Sequence, residues 1–402
     1  MRRYLLASLA FAGTLSLTFA ATAADKKYGP GVTDSEIRIG QTMPYSGPAS
    51  AYGTIGKAEV AYMKMINDQG GVNGRKINLI SLDDGYSPPK TVEQVRALVE
   101  QENVLLTFQG LGTPTQISVH KYQNTKKVPQ LFVATGATFW ADPKNFPWTM
   151  GWQPNYQTEG RIYAKYVLQN KPNGKIAILY QNDDSGRDYV KGFKDGLGQA
   201  GGKLIVAEAT YEVTDPTIDS QIVTLKGSGA DVFFNDTTPK FAAQAIRKVS
   251  DIDWHPLHLL VSVSASVAAV FQPAGLKKAT DIITAAYLKD PTDKQWAGEK
   301  DFQDWDAWMR KYYPDGNRAD SFNAYGYAAA YTLVQVLKQC GDDLSRENVM
   351  KQAANIKPMP VPMLLPGIQL STSPTNFSPL RQMRLQRFDG EKWILFGDVI
   401  GG

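Results

Sequence analysis

The chain has 402 residues, 43% hydrophobic and 20% charged, and its 43 Lys and Arg nearly balance 39 Asp and Glu to give a formal charge of +4. The basic residues are scattered, with no Lys/Arg run longer than two, which excludes a polyanion-binding face and nucleic acid as a partner. A single cysteine, Cys340, excludes an intrachain disulfide and reads as a small semi-buried apolar residue.

The chain begins with Arg2 and Arg3, an apolar run over residues 4–20 and the small-x-small sequence Ala21-Thr22-Ala23, the layout of an export signal removed near Ala23 or Ala24. Residues 1–23 are therefore expected to be a signal peptide. No later segment reaches the ~18 continuous apolar residues of a membrane span, so the mature protein is expected to be soluble. No cysteine stands at the signal junction for lipid attachment, which makes the free periplasm the expected location. Roughly 380 residues remain, more than one hydrophobic core usually serves, and two domains are expected.

Residues 37–74 lay out a strand (IRIGQ), a loop at 44–53 rich in Gly, Pro, Ser and Tyr, and a helix over 54–69 closed by Gly70-Gly71. In an open α/β sheet, ligands bind beyond the carboxyl ends of the strands, where the next helix offers unpaired N–H groups and a partial positive charge. A small carboxylate suits such a place. Strands at 77–83, 104–109 and 130–135 then alternate with helices at 89–101 and 115–126. After an aromatic and proline-rich connection at 140–154, a second series sets strands at 176–181, 203–211, 231–236 and 257–263 between helices at 155–169, 187–199, 218–226 and 241–249. This alternation predicts two doubly wound α/β lobes with parallel sheets. A further strand at 282–287 precedes helices at 299–312, 322–339 and 346–355, a block expected to return to the first lobe. The segments 383–388 and 393–400 read as a β-hairpin around Asp389-Gly390.

Catalytic patterns are poor. His120, His255 and His258 stand in no metal-ligand spacing, no GxSxG elbow occurs, and Cys340 has no partner base, so neither enzyme activity nor a cofactor or metal is expected. The GxGxxG match at 196–201 has a helix before it and a strand after it, the reverse of a dinucleotide site, and reads as a helix cap. Asp83-Asp84 and Asp183-Asp184 follow strands and read as caps and loop acceptors. What recurs is Gly and small hydroxyls at strand ends: 110–113, 135–138, 185–186, 237–238 and 262–266, the last including Ser264. With Tyr52, Phe139, Trp140, Trp152, Phe322 and Tyr325 nearby, they suggest a pocket for reversible recognition of a polar group.

The chain resembles the type I periplasmic solute-binding proteins of the leucine/isoleucine/valine-binding protein family, the receptors of ATP-driven importers. The resemblance is carried by SGPASAYG (46–53), INDQGGVNGRKI (66–77), LDDGYSPPKTVEQVRALV (82–99), TPTQISV (113–119) and KIAILYQNDDSGRDYVKGF (175–193). It implies two lobes, 34–152 plus 290–362 and 153–289 plus 363–402, joined by three hinge crossovers that close on a ligand, and a monomer that serves a membrane permease. Carried over by position, Tyr52 falls at the pocket edge, and Gly112 or Thr113 with Thr135 and Ala137 or Thr138 falls where the family grips the ligand carboxylate. Ser185 and Thr237 stand at two tyrosine positions of the amino-acid binders, and Phe322 keeps an aromatic. Those binders hold the ligand ammonium with an acidic residue of the second lobe, whereas the matching stretch here, 261–266, is VSVSAS. This departure points to a bulkier carboxylate, aromatic ones included, rather than a plain α-amino acid; Asp184 and Asp236 stay open as alternative counter-charges.

Overall fold

The computed structural model describes residues 26–401, so the expected leader lies outside the described residues. A short strand β1 (Lys27–Tyr28) leads into β2 (Glu36–Met43), whose alternate residues Ile37 and Ile39 are fully buried. Helix α1 (Gly53–Asp68) connects to β3 (Lys76–Asp83). Helix α2 (Pro88–Arg96) starts on a proline pair that cannot sit deeper in a helix and ends in a wider turn at Ala97–Gln101. Then come β4 (Leu106–Phe108), α3 (Thr113–Thr125), β5 (Gln130–Val133) and β6 (Thr149–Gly151). The first sheet is parallel, in the order β3-β2-β4-β5-β6. Its strand order reverses direction between β2 and β4.

The second series runs α4 (Tyr156–Asn170), β7 (Ile176–Gln181), α5 (Asp184–Gly201), β8 (Ile205–Tyr211), α6 (Asp219–Gly227), β9 (Val232–Asp236), α7 (Pro239–Asp251), β10 (Leu257–Leu260), the helical turn α8 (Gln272–Ala274) and β11 (Ile283–Ala286). Helices α9 (Lys300–Tyr312) and α10 (Ser321–Cys340), strand β12 (Asp343–Leu344) and helix α11 (Arg346–Ala353) follow, and the hairpin β13 (Gln382–Phe388) and β14 (Trp393–Gly401) ends the chain. The second sheet has the order β14-β13-β11-β10-β9-β7-β8, parallel except for the hairpin, which joins antiparallel to β11. Its switch point lies between β7 and β9.

The helix block returns to the first lobe as expected: α9 and α10 pack on α1. The approach is close enough that a Cβ on Gly326 would stand 2.7 Å from the carbonyl of Ile55, so a larger residue there would force the helices apart. Ala328, Leu333, Val334 and Leu337 of α10 are fully buried, each leucine contributing about 2 kcal/mol by removal from water. The strand β12 pairs with β1. Three crossovers join the lobes, at 152–155, 287–299 and 354–381. Two of them run side by side, Lys289 N–H donating to Met363 O at 2.8 Å and Leu365 N–H to Tyr287 O at 2.9 Å.

Departures from the sequence reading are local. Strand β6 lies inside the segment read as a connection, because three residues between Trp148 and Trp152 are too few to display a period. The strand expected over 257–263 stops at Leu260, where a turn at Ser262–Ser264 takes over. Gly198, at φ 65, interrupts the end of α5 inside the GxGxxG match.

Candidate functional site: the cleft between the lobes

The carboxyl ends of the two switch points open into one cleft of about 1030 Å³, mouth included. From the first lobe it is lined by Tyr52, Tyr86 and the Leu111–Gly112–Thr113 turn after β4; from the second by Gln181 and Ser185 after β7, Tyr211 after β8, and Asp236 and Thr237 after β9. Tyr156 at the start of α4, Tyr189 on the second turn of α5, Tyr287 on a crossover, and Phe322 and Tyr325 on α10 complete an aromatic lining.

Helix α3 begins at Thr113 behind Gly112, whose φ of 98 lies in the region glycine tolerates. A Cβ on Gly112 would stand 2.4 Å from the Tyr86 ring. Tyr86 itself has φ 60, a strained value for an aromatic residue, held by its N–H bond to Asp84 Oδ1 at 2.9 Å. The Thr113 hydroxyl lies 2.6 Å from that of Thr135, so the start of α3, with its unpaired N–H groups, is braced by the next strand end.

Of the residues expected in the site, Tyr52, Gly112, Thr113, Ser185, Thr237, Phe322 and Tyr325 line the cleft. Tyr52 and Phe322 face one another with ring centroids 5.2 Å apart. Thr135 stands behind Thr113, and Ala137 N–H donates to the Thr135 hydroxyl at 3.3 Å. Thr138 is turned to Asp188 on α5. Trp152 is fully buried, donating to the Thr332 hydroxyl at 3.1 Å and packing edge-on against Tyr325. Ser264 is also buried and donates to the Thr237 carbonyl at 2.5 Å. Ser185 and Thr237 already spend their hydroxyls on Asp183 at 2.5 Å and Asn235 at 2.7 Å.

Both aspartate pairs act as the sequence reading expected. Asp183 caps α5 through the N–H groups of Ser185 and Gly186, and Asp83 accepts from the N–H groups of Tyr45, Ser46 and Gly85. Asp184 is exposed to the Arg187 guanidinium at 2.8 Å and lies off the cleft, whereas Asp236 lines it and is 5% exposed. Burial, and after it the charges of Asp183, Glu159 and Asp188, holds the Asp236 carboxyl well above the usual carboxylate range. Behind it, Glu159 accepts from the hydroxyls of Tyr163 (2.6 Å), Tyr189 (3.1 Å) and Ser262 (2.8 Å) and from Ser262 N–H (2.6 Å). His258, buried beside Asn235 at 3.0 Å, is pushed down to about 3 by burial and stays neutral. Among the described residues no group of three potential metal ligands occurs, and no helix is long and apolar enough to cross a membrane.

The sequence reading missed Tyr86, Tyr156, Tyr189, Tyr211, Tyr287, Gln153 and Gln181. The available signal was position: Tyr86, Tyr156, Tyr211 and Tyr287 all lie within a few residues of a strand's carboxyl end.

Residues 36–392 match the family described as periplasmic binding protein. The Leu/Ile/Val-binding protein homolog 1 of Brucella suis biovar 1 (strain 1330) is 23% identical over 329 residues, covering 80% of this chain and 84% of that one. Among solved structures, a branched-chain amino acid ABC transporter protein from Thermus thermophilus with bound valine superposes with a TM-score of 0.82 at 15% identity, over 92% of this chain and 98% of that one. A fatty acid ABC transporter substrate-binding protein from Thermomonospora curvata gives 0.78 at 21% identity, over 94% and 95%. The lobes, the crossovers and the cleft between the switch points agree with these matches: the chain belongs to the type I periplasmic binding proteins of the leucine/isoleucine/valine-binding protein family.

Proposed function

We propose that this protein is a monomeric periplasmic receptor of an ABC import system, capturing a small organic carboxylate between its lobes and delivering it to a membrane permease. The observation that carries the reading is the cleft between the lobes, whose first-lobe wall presents the start of α3 at Gly112 and Thr113 and whose lining is otherwise rich in tyrosine. The lobes would comprise 34–152 plus 290–362 and 153–289 plus 363–402, with residues 1–23 cleaved on export. Tyr52 and Phe322, in contact with one another, would form one aromatic wall against the ligand body, an aromatic one included, and Tyr325 would close the base. Thr135 and Ala137 would act behind Thr113, and Thr138, Trp152 and Ser264 would hold the walls in place. Closure that excludes water lets buried apolar area and a few hydrogen bonds yield micromolar affinity. An amino-acid or amide ligand is the second reading, favoured by Asp236 in the cleft wall and by the named ligands of the relatives.

The test is a thermal-shift screen of the mature protein, unfolded and refolded to remove any carried ligand. The panel holds aliphatic and aromatic carboxylates, amides and branched-chain amino acids. A ligand at 100 times its Kd should add about 2.7 kcal/mol of stability. A panel in which no carboxylate raises the melting temperature contradicts the reading.

A further inference from the structure

We propose that the lobes take up a proton at Asp290 as they close, so that the balance between open and closed forms of the ligand-free protein follows pH. The inference goes beyond the receptor reading and holds whatever the captured molecule is. Asp290 lies on the 287–299 crossover, lines the cleft and is 8% exposed. It stands one residue from the bond that joins two crossovers, Lys289 N–H to Met363 O at 2.8 Å, where a change of lobe angle must bend the chain. Its carboxylate accepts the Thr292 N–H at 2.8 Å and the Thr292 hydroxyl, both on Oδ1 and both from the same crossover. Among the described residues no donor from either lobe reaches it.

The charges that act on Asp290 are of its own sign: Asp293 on the crossover and Asp320 at the start of α10. Asp320 is joined in turn to the Ser266 hydroxyl of the second lobe at 2.8 Å. The bases of this region are already paired, Lys289 with Glu299 at 2.5 Å and Asp301 at 2.7 Å, and Lys392, from the turn of the β13–β14 hairpin, with Asp293 at 3.1 Å. A charge on Asp290 therefore meets two like charges and no unpaired cation, in a wall from which contact between the lobes excludes water. Parting the lobes breaks the Ser266–Asp320 bond and admits water to that wall, which returns the carboxyl to the surroundings of an ordinary aspartate. Burial holds it at about 6 in the form with the lobes together, against the ordinary 3.8. The raised value belongs to the closed form, so closing binds a proton. Its favourable contribution is full below pH 4 and is lost as pH rises through about 6. These two values multiply the closed-to-open ratio about 20-fold between pH 7 and pH 4.5.

The experiment measures the radius of gyration of the refolded, ligand-free mature protein by small-angle scattering from pH 7 to pH 4.5, beside Asp290→Asn and Thr292→Val. The wild type is expected to contract as pH falls, with the change centred between pH 4.5 and 6. Asp290→Asn, neutral at every pH, should already be the more compact protein at pH 7 and should lose most of the pH dependence. Asp236 and the other buried carboxyls of the cleft keep their own titrations in that variant, so the difference between the two proteins isolates Asp290. Thr292→Val removes a hydroxyl that favours the charged form and should move the wild-type transition to higher pH. A wild-type radius that does not fall, or the same fall in Asp290→Asn, overturns the proposal. If Asp290→Asn does not melt cooperatively, Thr292→Val decides, and a transition that it leaves in place overturns the proposal equally. No solute is added, so failure here leaves the receptor reading untouched.

Discussion

Thr138 N–H donates to Asp188 Oδ2 at 2.9 Å, and the Thr138 hydroxyl donates to the same oxygen at 2.8 Å. Thr138 follows β5 of the first sheet and Asp188 lies on α5 beside the second, so one carboxylate ties the two lobes together. A second tie runs from the Ser266 hydroxyl to Asp320 Oδ1, the cap of α10, at 2.8 Å. Separating the lobes would break both ties. Asp188→Ala is expected to shift the ligand-free protein toward an open form, raising its radius of gyration in small-angle scattering and weakening ligand binding by about 3- to 10-fold through the reduced closed population. Unchanged scattering and affinity would mean that the contact does not govern closure.

Gly112 joins the first sheet to α3 in a conformation that side chains resist, directly against Tyr86. Gly112→Ala should therefore displace Tyr86 or the start of α3. The expected cost is about 1–3 kcal/mol of stability in urea unfolding, together with loss of ligand binding. A variant with native stability and affinity would show that this turn has slack.

Glu159 collects the hydroxyls of three residues and one N–H from α4, α5 and the turn after β10. Glu159→Ala leaves those buried donors without an acceptor and should cost about 3 kcal/mol or more. Glu159→Gln, which keeps an acceptor, should cost less. Equal losses in the two variants would place the effect in packing and not in the hydrogen bonds.

Asp290 is buried at the crossover edge of the cleft, and burial raises its carboxyl from the ordinary 3.8 to about 6, against the bonds it accepts from Thr292. Between those two values the folded chain keeps a proton that the unfolded chain has released, so the group's contribution is full below pH 4 and is lost as pH rises through about 6. The loss amounts to about 3 kcal/mol for a shift of roughly two units. Asp290→Asn cannot titrate. The stability of wild type relative to this variant should therefore fall from pH 4 to pH 6.5 in paired denaturation curves, and a flat or rising difference would contradict the assignment.

The lobes were legible because each strand of the alternating series carries its own apolar run and each helix its own start signal, such as Pro88-Pro89 before α2 or Asp183 before α5. Short edge elements were not: β6 and the β1–β12 pair are held by neighbours distant in sequence and have no period of their own. The same physics divides the site. Gly112, Thr113, Ser185 and Thr237 stand at strand ends that the pattern marks, and they reach the cleft. Thr138 was expected in the pocket from its strand end and the family resemblance, and Trp152 from proximity in sequence; Trp152 turns inward to Thr332 and Thr138 outward to Asp188, directions that only the packed crossovers determine. The seven tyrosines of the cleft come from seven separate segments and converge only in the fold. Asp236 was visible as a candidate, but its Oδ2 without a hydrogen-bond partner among the described residues is something sequence cannot display.

The central claim is capture of a carboxylate between the lobes, and the most direct measurement is a crystal structure of the mature protein with the tightest-binding carboxylate from the screen. The account predicts ligand density in the cleft against the Tyr52–Phe322 pair, with the carboxylate on Gly112 and Thr113. Density outside the cleft, or a carboxylate lying against Asp236, would contradict it.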